Sequence, residues 1–448
     1  MLKRYKIDSD LAWNFGRYLA YAIAGPILSF AVLRYLTPVV QGYYYTFASL
    51  LSLQVFFELG FAVCITQFIS HEYAHVKFGR SGQIEGDSKS ILRLGGIAKL
   101  ALKWYSVLSV GIFVFLVVAG YMFFRSPSHS IDWFVPWALI VLGSSVGIFY
   151  DAFIAVFNGL NQVAWTAKLA ILRNAIRLLC TLVLLVGGAQ LYALGVATLI
   201  ANLVLLVQIL VQRKNELRSI YSLKGKLESW TLFREIWPMQ WRIALSWICG
   251  YFIFSAFNPI IFKTEGPVAA GRFGITWTIV QAIATMAQVP VNTRMPQWGI
   301  FIAKGDVASV TKSWRKATYF AFGMVLFGGI VLWVLLLVLK YYTNYRERLL
   351  SDWEILPLIG GALANQFIFS VAALGRSNKQ EPFLEFSLIE ASLVLLGTLF
   401  FGKHFGVLGV TWNYFLTLMI LLPYAEYLRK KIKSGTDALC CSQNMENA

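Results

Sequence analysis

Twelve stretches of this chain are long and apolar enough to cross a bilayer, and they leave little sequence for anything else. About 20 apolar residues at a 1.5 Å rise span a hydrocarbon core of roughly 30 Å. Inside that core a segment must satisfy its own backbone polar groups, so each stretch is expected to be a helix. The spans run over residues 11–33, 43–69, 98–124, 133–156, 162–187 and 191–211, then 237–262, 268–292, 317–340, 355–374, 383–401 and 406–427. Composition agrees, with 58% hydrophobic and 14% charged residues, where soluble chains hold roughly 45–50% and 25%. The basic start "MLKRYK" and Ala22-Ile23-Ala24 imitate a secretory signal with its cleavage site. The apolar run continues unbroken through Leu33, so an uncleaved first helix is expected.

Most of the 39 Lys and Arg residues fall at the termini and in even-numbered loops. Positive loops stay in the cytoplasm, which predicts cytoplasmic N- and C-termini. The formal charge of +17 therefore reflects topology and attraction to anionic headgroups, not nucleic acid. The aromatic run Tyr43, Tyr44 and Tyr45 is expected at a membrane interface. Cys64, Cys180 and Cys249 lie in apolar stretches, and Cys440 and Cys441 in a polar tail ending "MENA", which is no prenylation signal. No metal-ligand spacing joins the five Cys and four His, so neither metal nor cofactor is expected.

The chain repeats itself at half its length. "TPVVQG" at Thr37–Gly42 returns as "GPVAAG" at Gly266–Gly271, after spans one and seven. "GLNQ" at Gly159–Gln162 and "GRSNKQ" at Gly375–Gln380 precede spans five and eleven, and "LGV" at Leu194 and at Leu408 opens spans six and twelve. Three matches in one order predict a duplicated six-helix unit. The expected fold class is an all-α polytopic membrane protein, twelve transmembrane helices in two six-helix bundles related by pseudo-two-fold symmetry. Its parts are an N-terminal bundle (1–211), a cytoplasmic basic linker (212–236), a C-terminal bundle (237–428) and a cytoplasmic tail (429–448). The linker reads equally as a surface-lying helix or a solvated segment, and Ile91–Trp104 as an amphipathic lead into span three. Pro38 and Pro267 are expected to restrict the approach to each outer turn, and Gly42 and Gly271 to free its exit.

The stretch "LRYLTPVVQGYYYTFASLLSLQVFFELGF", Leu33–Phe61, resembles the first hairpin of the bacterial polysaccharide-biosynthesis transporters, the Wzx-like lipid-linked oligosaccharide flippases. These belong to the multidrug/oligosaccharidyl-lipid/polysaccharide exporter superfamily. The shared pattern is a short turn with Pro then Gly-aromatic, and the triplet Glu58-Leu59-Gly60 late in span two. The chain departs from the pattern at Gln67, where relatives often carry a basic residue. The resemblance implies a transporter in the bacterial inner membrane. It would flip an undecaprenyl-diphosphate-linked oligosaccharide from inner to outer leaflet by alternating access, for O-antigen, capsule or exopolysaccharide assembly. Implied partners are that substrate, the bilayer, a coupling ion (H+ or Na+) and other polysaccharide-assembly proteins.

That task has physical requirements. A single unpaired hydroxyl in hydrocarbon costs about 4–8 kcal/mol, so a sugar chain needs a hydrated cavity. A diphosphate calls for cations, preferably Arg, whose planar fork matches phosphate oxygens. Intramembrane charges are the default candidates. Arg17 and Arg242 in spans one and seven serve either a cavity or snorkelling to the interface. Arg173 and Arg177, four apart, share one face of span five. Glu390 of span eleven sits level with that pair by the repeat offset, and Glu385 nearer the interface. The favoured reading is an ion pair of Glu390 with the arginines; the other is a substrate-binding Arg pair with Glu390 as a separate ion site. Glu58 is either an ion site or the support of a kink at Gly60, and Asp151 either a proton carrier, as a coupling-ion or gate site, or an interfacial residue. Asn365 and Gln366, its counterparts in span ten, are expected to face water with it. Gln281, Gln288 and Asn292 form a polar stripe on span eight, lining the cavity or bonding between helices.

Rival classes fit less well. A multidrug or cation antiporter of the same superfamily would share the fold but favour acidic and aromatic cavity residues. A membrane polymerase or ligase needs a long exposed catalytic loop, and the longest outer loop, 340–354, gathers no catalytic set, so no enzyme is expected. An ATP-driven pump would need Gly-Lys-Ser/Thr, which neither Gly225-Lys226-Leu227 nor Gly402-Lys403-His404 supplies.

Overall fold

The computed structural model describes residues 2–78, 84–125, 131–222, 229–303, 305–342, 344–377 and 383–446. All twelve expected spans fall on helices. The first is α1 (Leu2–Tyr35). The second is broken into α2 (Pro38–Leu51), a 3-10 turn (Ser52–Gln54), α3 (Val55–Glu58) and α4 (Phe61–Tyr73). The break lies on the Glu58-Leu59-Gly60 triplet: Leu59 (φ 51°) and Gly60 (φ 68°) are both left-handed, and the two parts bend by 46°. Gly60 adopts that conformation without cost; Leu59 does so against its Cβ, which the surrounding packing must offset.

Two short antiparallel strands follow, β1 (Val76–Phe78) and β2 (Ile84–Gly86), which the apolar-run reading did not anticipate. The amphipathic Ile91–Trp104 stretch is no separate element. It continues into the third span as α5 (Ser88–Phe124), whose first turn is capped by Asp87 Oδ2 accepting from Ser90 N at 3.0 Å. Then come α6 (Phe134–Gly159), α7 (Val163–Val186) and α8 (Tyr192–Gln212). The basic linker begins as a helix, α9 (Lys214–Ser222), which packs on α5 and α8 with Leu217 and Ile220 buried. Arg213 stacks 4.5 Å from the Trp165 ring and pairs with Glu216, so charge is used to dock α9 as well as to solvate it.

The second half runs α10 (Ser229–Phe254), α11 (Phe257–Glu265), α12 (Pro267–Asn292), α13 (Met295–Ala303), α14 (Val307–Tyr342), α15 (Asp352–Ser377) and α16 (Leu384–Glu446). The last holds two expected spans, separated at Gly406 by a non-helical φ of 61° and ψ of −145°. Among the described residues nine helices are each apolar and long enough to cross a membrane, and the bent pair makes a tenth. α12 falls short because Gln281, Gln288 and Asn292 dilute it. The protein is a multi-pass membrane protein.

Contacts divide the chain into two compact units, Met1–Leu36 with Phe47–Tyr251, and Thr37–Thr46 with Phe252–Ala448. The first copy of the repeated Pro-Val-x-x-Gly motif thus belongs to the second unit, together with the second copy. Pro38 and Pro267 each open a helix, where a missing N–H is harmless. Gly42 and Gly271 do not free a turn's exit, as the sequence suggested; both lie inside helices. They permit close approach: a Cβ on Gly42 would fall 1.8 Å from the Pro267 carbonyl oxygen, and one on Gly271 2.9 Å from Gly42 N. Gln41, 1% exposed, seals the same contact, with Nε2 donating to Gly271 O (2.8 Å) and Oε1 accepting from Arg348 Nη2 (2.6 Å). Tyr43, Tyr44 and Tyr45 are correspondingly buried in the second unit. Tyr43 meets Phe262 edge-on at 5.0 Å, and Tyr45 fills the space left by Gly274.

Candidate functional site

A cavity of about 280 Å3 opens inside the first unit, and its walls are polar although the bundle around it is apolar. Helix α7 supplies Arg173, Asn174 and Arg177, which the 3.6-residue period puts on one face. Helix α6 supplies Ser144 and Asp151, two turns apart; α8 supplies Thr198 and Asn202, one turn apart. Tyr21 of α1 and Gln54 of the 3-10 turn complete the wall.

The charges are arranged unequally. Arg173 Nη1 lies 3.1 Å from Asp151 Oδ1, its guanidinium sits 5.0 Å from the Tyr150 ring centre, and the Tyr21 hydroxyl bonds to it. Arg177 Nη2 donates instead to a neutral amide, Asn174 Oδ1, at 3.2 Å. Among the described residues no carboxylate pairs with Arg177. Asn174 is held in turn by Nδ2 donating to Ala20 O at 3.2 Å, which ties α7 to α1. Ser144 Oγ donates to Gln54 Oε1 at 2.8 Å, and Asn202 Nδ2 to Gly143 O at 2.8 Å.

Glu58, at the helix break, accepts from the Tyr105 hydroxyl at 3.4 Å and stands close enough to Asp151 to be repelled by it. Glu58 thus marks the kink and adjoins the cavity's acid.

Glu390 and the arginines belong to different compact units. Arg173 takes its counter-charge from Asp151 on the neighbouring helix. Glu390 is 4% exposed in the second unit, near Tyr414, and its Oε1 has no hydrogen-bond partner. Gln366 likewise is buried, not open to water, with Nε2 3.5 Å from Ala287 O of α12. Asn365 beside it is half-buried, as are Gln281 and Gln288, while Asn292 is exposed. Glu385 is exposed and bonded by the Tyr424 hydroxyl. Arg17 is half-buried with its guanidinium 5.2 Å from the Tyr18 ring. Arg242 lies on α10, its side chain outside the described residues.

Sequence reasoning missed Tyr21, Gln54, Ser144, Asn174, Thr198 and Asn202. A signal was available for some of them. Ser144 and Asp151 at i and i+7, and Thr198 and Asn202 at i and i+4, are polar stripes on otherwise apolar helices.

This fold is that of transporters of the multidrug/oligosaccharidyl-lipid/polysaccharide exporter (MOP) superfamily. The chain is similar to an inward-facing multidrug resistance MATE family transporter of that superfamily, with TM-score 0.69 and 14% identity over 96% of this chain and 98% of that one. It is similar also to the lipid II flippase MurJ in an inward closed conformation, with TM-score 0.63 and 11% identity over 98% and 93% of the two chains. An outward-facing MATE family transporter matches with TM-score 0.55 and 14% identity over 96% and 93%. No protein-family profile matches the chain, and no curated protein does. At such identities the likeness is one of fold.

Proposed function

We propose that this chain is a transporter of the bacterial cytoplasmic membrane that flips a diphosphate-linked oligosaccharide lipid outward by alternating access, with cytoplasmic termini and two repeated bundles. The observation that carries the reading is Arg177, a cation inside an apolar bundle, facing a polar cavity and bonded to an amide rather than a carboxylate. An unneutralised guanidinium at such a depth is expensive and marks an anion-binding place. Arg173, one turn away on the same helix face, offers a second planar fork. The fold supports transport but does not choose the cargo, since it is shared by a lipid II flippase and by multidrug transporters. The charge of the cavity favours the anion.

The multidrug or cation antiporter reading draws on Glu58 and Glu390, two carboxylates without a basic partner among the described residues. The two readings separate in one strain. Loss of the protein is expected to abolish a surface glycan and to build up lipid-linked repeat units on the inner leaflet. Unchanged glycan together with new sensitivity to organic cations would favour the antiporter. For the site, Arg177→Gln removes a charged hydrogen-bond donor contributing about 1.5–3 kcal/mol. Export is therefore expected to fall about tenfold or more with normal membrane insertion.

A further inference from the structure

We propose that Asp151 stands in for a substrate phosphate in the empty cavity, so that binding of a diphosphate to Arg173 and Arg177 draws one proton onto Asp151. This rests on the reading of the cavity as the diphosphate site. A diphosphate diester carries two negative charges, one for each guanidinium. In the empty cavity Asp151 holds Arg173 at 3.1 Å, which spares the bundle two bare cations. A phosphate that takes the Nη1 donor of Arg173 therefore displaces Asp151.

What then faces the released carboxylate decides its fate. From α3 comes Glu58, a like charge; from α5 the Tyr105 hydroxyl, which bonds Glu58. Its own helix offers Tyr150, α1 offers Tyr21, and α7 offers only the two arginines now bound to phosphate. Helix α8 presents Thr198 and Asn202, which do not titrate. No second cation lies against Asp151 among the described residues. A carboxylate left in a poorly hydrated site beside another carboxylate neutralises by taking a proton. Asp151 keeps 37% of its side chain exposed to the cavity, so water can deliver that proton to the vacated oxygen. When the phosphate leaves, Arg173 returns and the proton departs. The bound complex then carries two guanidinium charges against two phosphate charges, with Asp151 neutral.

The test is calorimetric titration of the purified full chain with UDP-glucose, a soluble diphosphate diester that stays doubly ionised across the neutral range. Run in buffers of different ionisation enthalpy, wild type is expected to take up about one proton per bound molecule, with affinity falling up to tenfold per pH unit as pH rises. Asp151→Asn is expected to bind at least as tightly, with no uptake and a flat pH profile, whereas Asp151→Glu keeps the uptake. Wild-type binding without proton uptake, or uptake that survives in Asp151→Asn, would overturn the proposal while leaving the diphosphate site standing. Absence of saturable binding, or binding indifferent to Arg177→Gln, would overturn the diphosphate site and the proposal with it.

Discussion

Two arginines one turn apart on α7 do different things because of what stands opposite each. Arg173 meets a carboxylate and Arg177 an amide, so only the second carries uncompensated charge into the cavity. A lysine would keep the charge at Arg177 but lose the fork that can bond Asn174 and an anion in the cavity together. Arg177→Lys is accordingly expected to retain more export than Arg177→Gln but less than wild type, measured as surface glycan per inserted protein; equal export by the two variants would remove the fork from the account. The pair itself was legible from its spacing of four. The pairing of Arg173 with Asp151 was not, because it depends on how α6 and α7 are rotated against each other, which no residue of the sequence states. Gly42 shows the same limit: its identity was read as turn chemistry, and its surroundings make it a contact. Gly42→Leu would drive a side chain into the Pro267 carbonyl, and overpacking of this kind costs about 1–3 kcal/mol. A lower thermal midpoint in detergent is expected, and an unchanged one would contradict the close approach.

At the scale of elements, length and apolarity carried the reading furthest. Each of the twelve runs became helix because hydrocarbon leaves the backbone no other partner. The departures lie where the backbone leaves the helix. The Leu59–Gly60 break, suspected from Gly60 alone, puts Glu58 at a helix end beside Tyr105. Gly60→Ala forces a Cβ into the left-handed region, at a cost of about 1–2 kcal/mol. The variant is expected to unfold at lower temperature, and one as stable as wild type would show that the kink is not held there. The N-terminus of α5 adds a pH dependence. Hydrogen bonds from Ser90 hold the Asp87 carboxylate below its ordinary range. Its stabilising contribution is then present above the unfolded-state value and lost as pH falls through the lower folded-state value. Faster amide exchange at Ser90 is expected on acidification in wild type relative to Asp87→Asn, in which no such pH step should appear.

For the whole molecule, the repeated motifs recur at equivalent places in helices without mapping the compact units. Pro38 and Pro267 occupy the same place, the first residue of a helix, and both LGV copies begin a span after a break or turn. Yet the first Pro-Val-x-x-Gly copy packs within the second unit, so sequence halves and compact units do not coincide. The cavity, by contrast, lies wholly in the first unit, where nine of the twelve wall residues, six of them polar, had not been singled out by the sequence reading. Transport of a diphosphate-linked lipid through it is the central claim. The most direct measurement is reconstitution of the purified chain in vesicles carrying a fluorescent diphosphate-linked glycolipid, with quenching from outside to count the lipids that cross. Wild type is expected to move the glycolipid, Arg177→Gln about tenfold more slowly, and neither to move a neutral glycolipid of the same tail. Equal rates for wild type and Arg177→Gln, or movement of the neutral lipid as fast as the diphosphate, would contradict it.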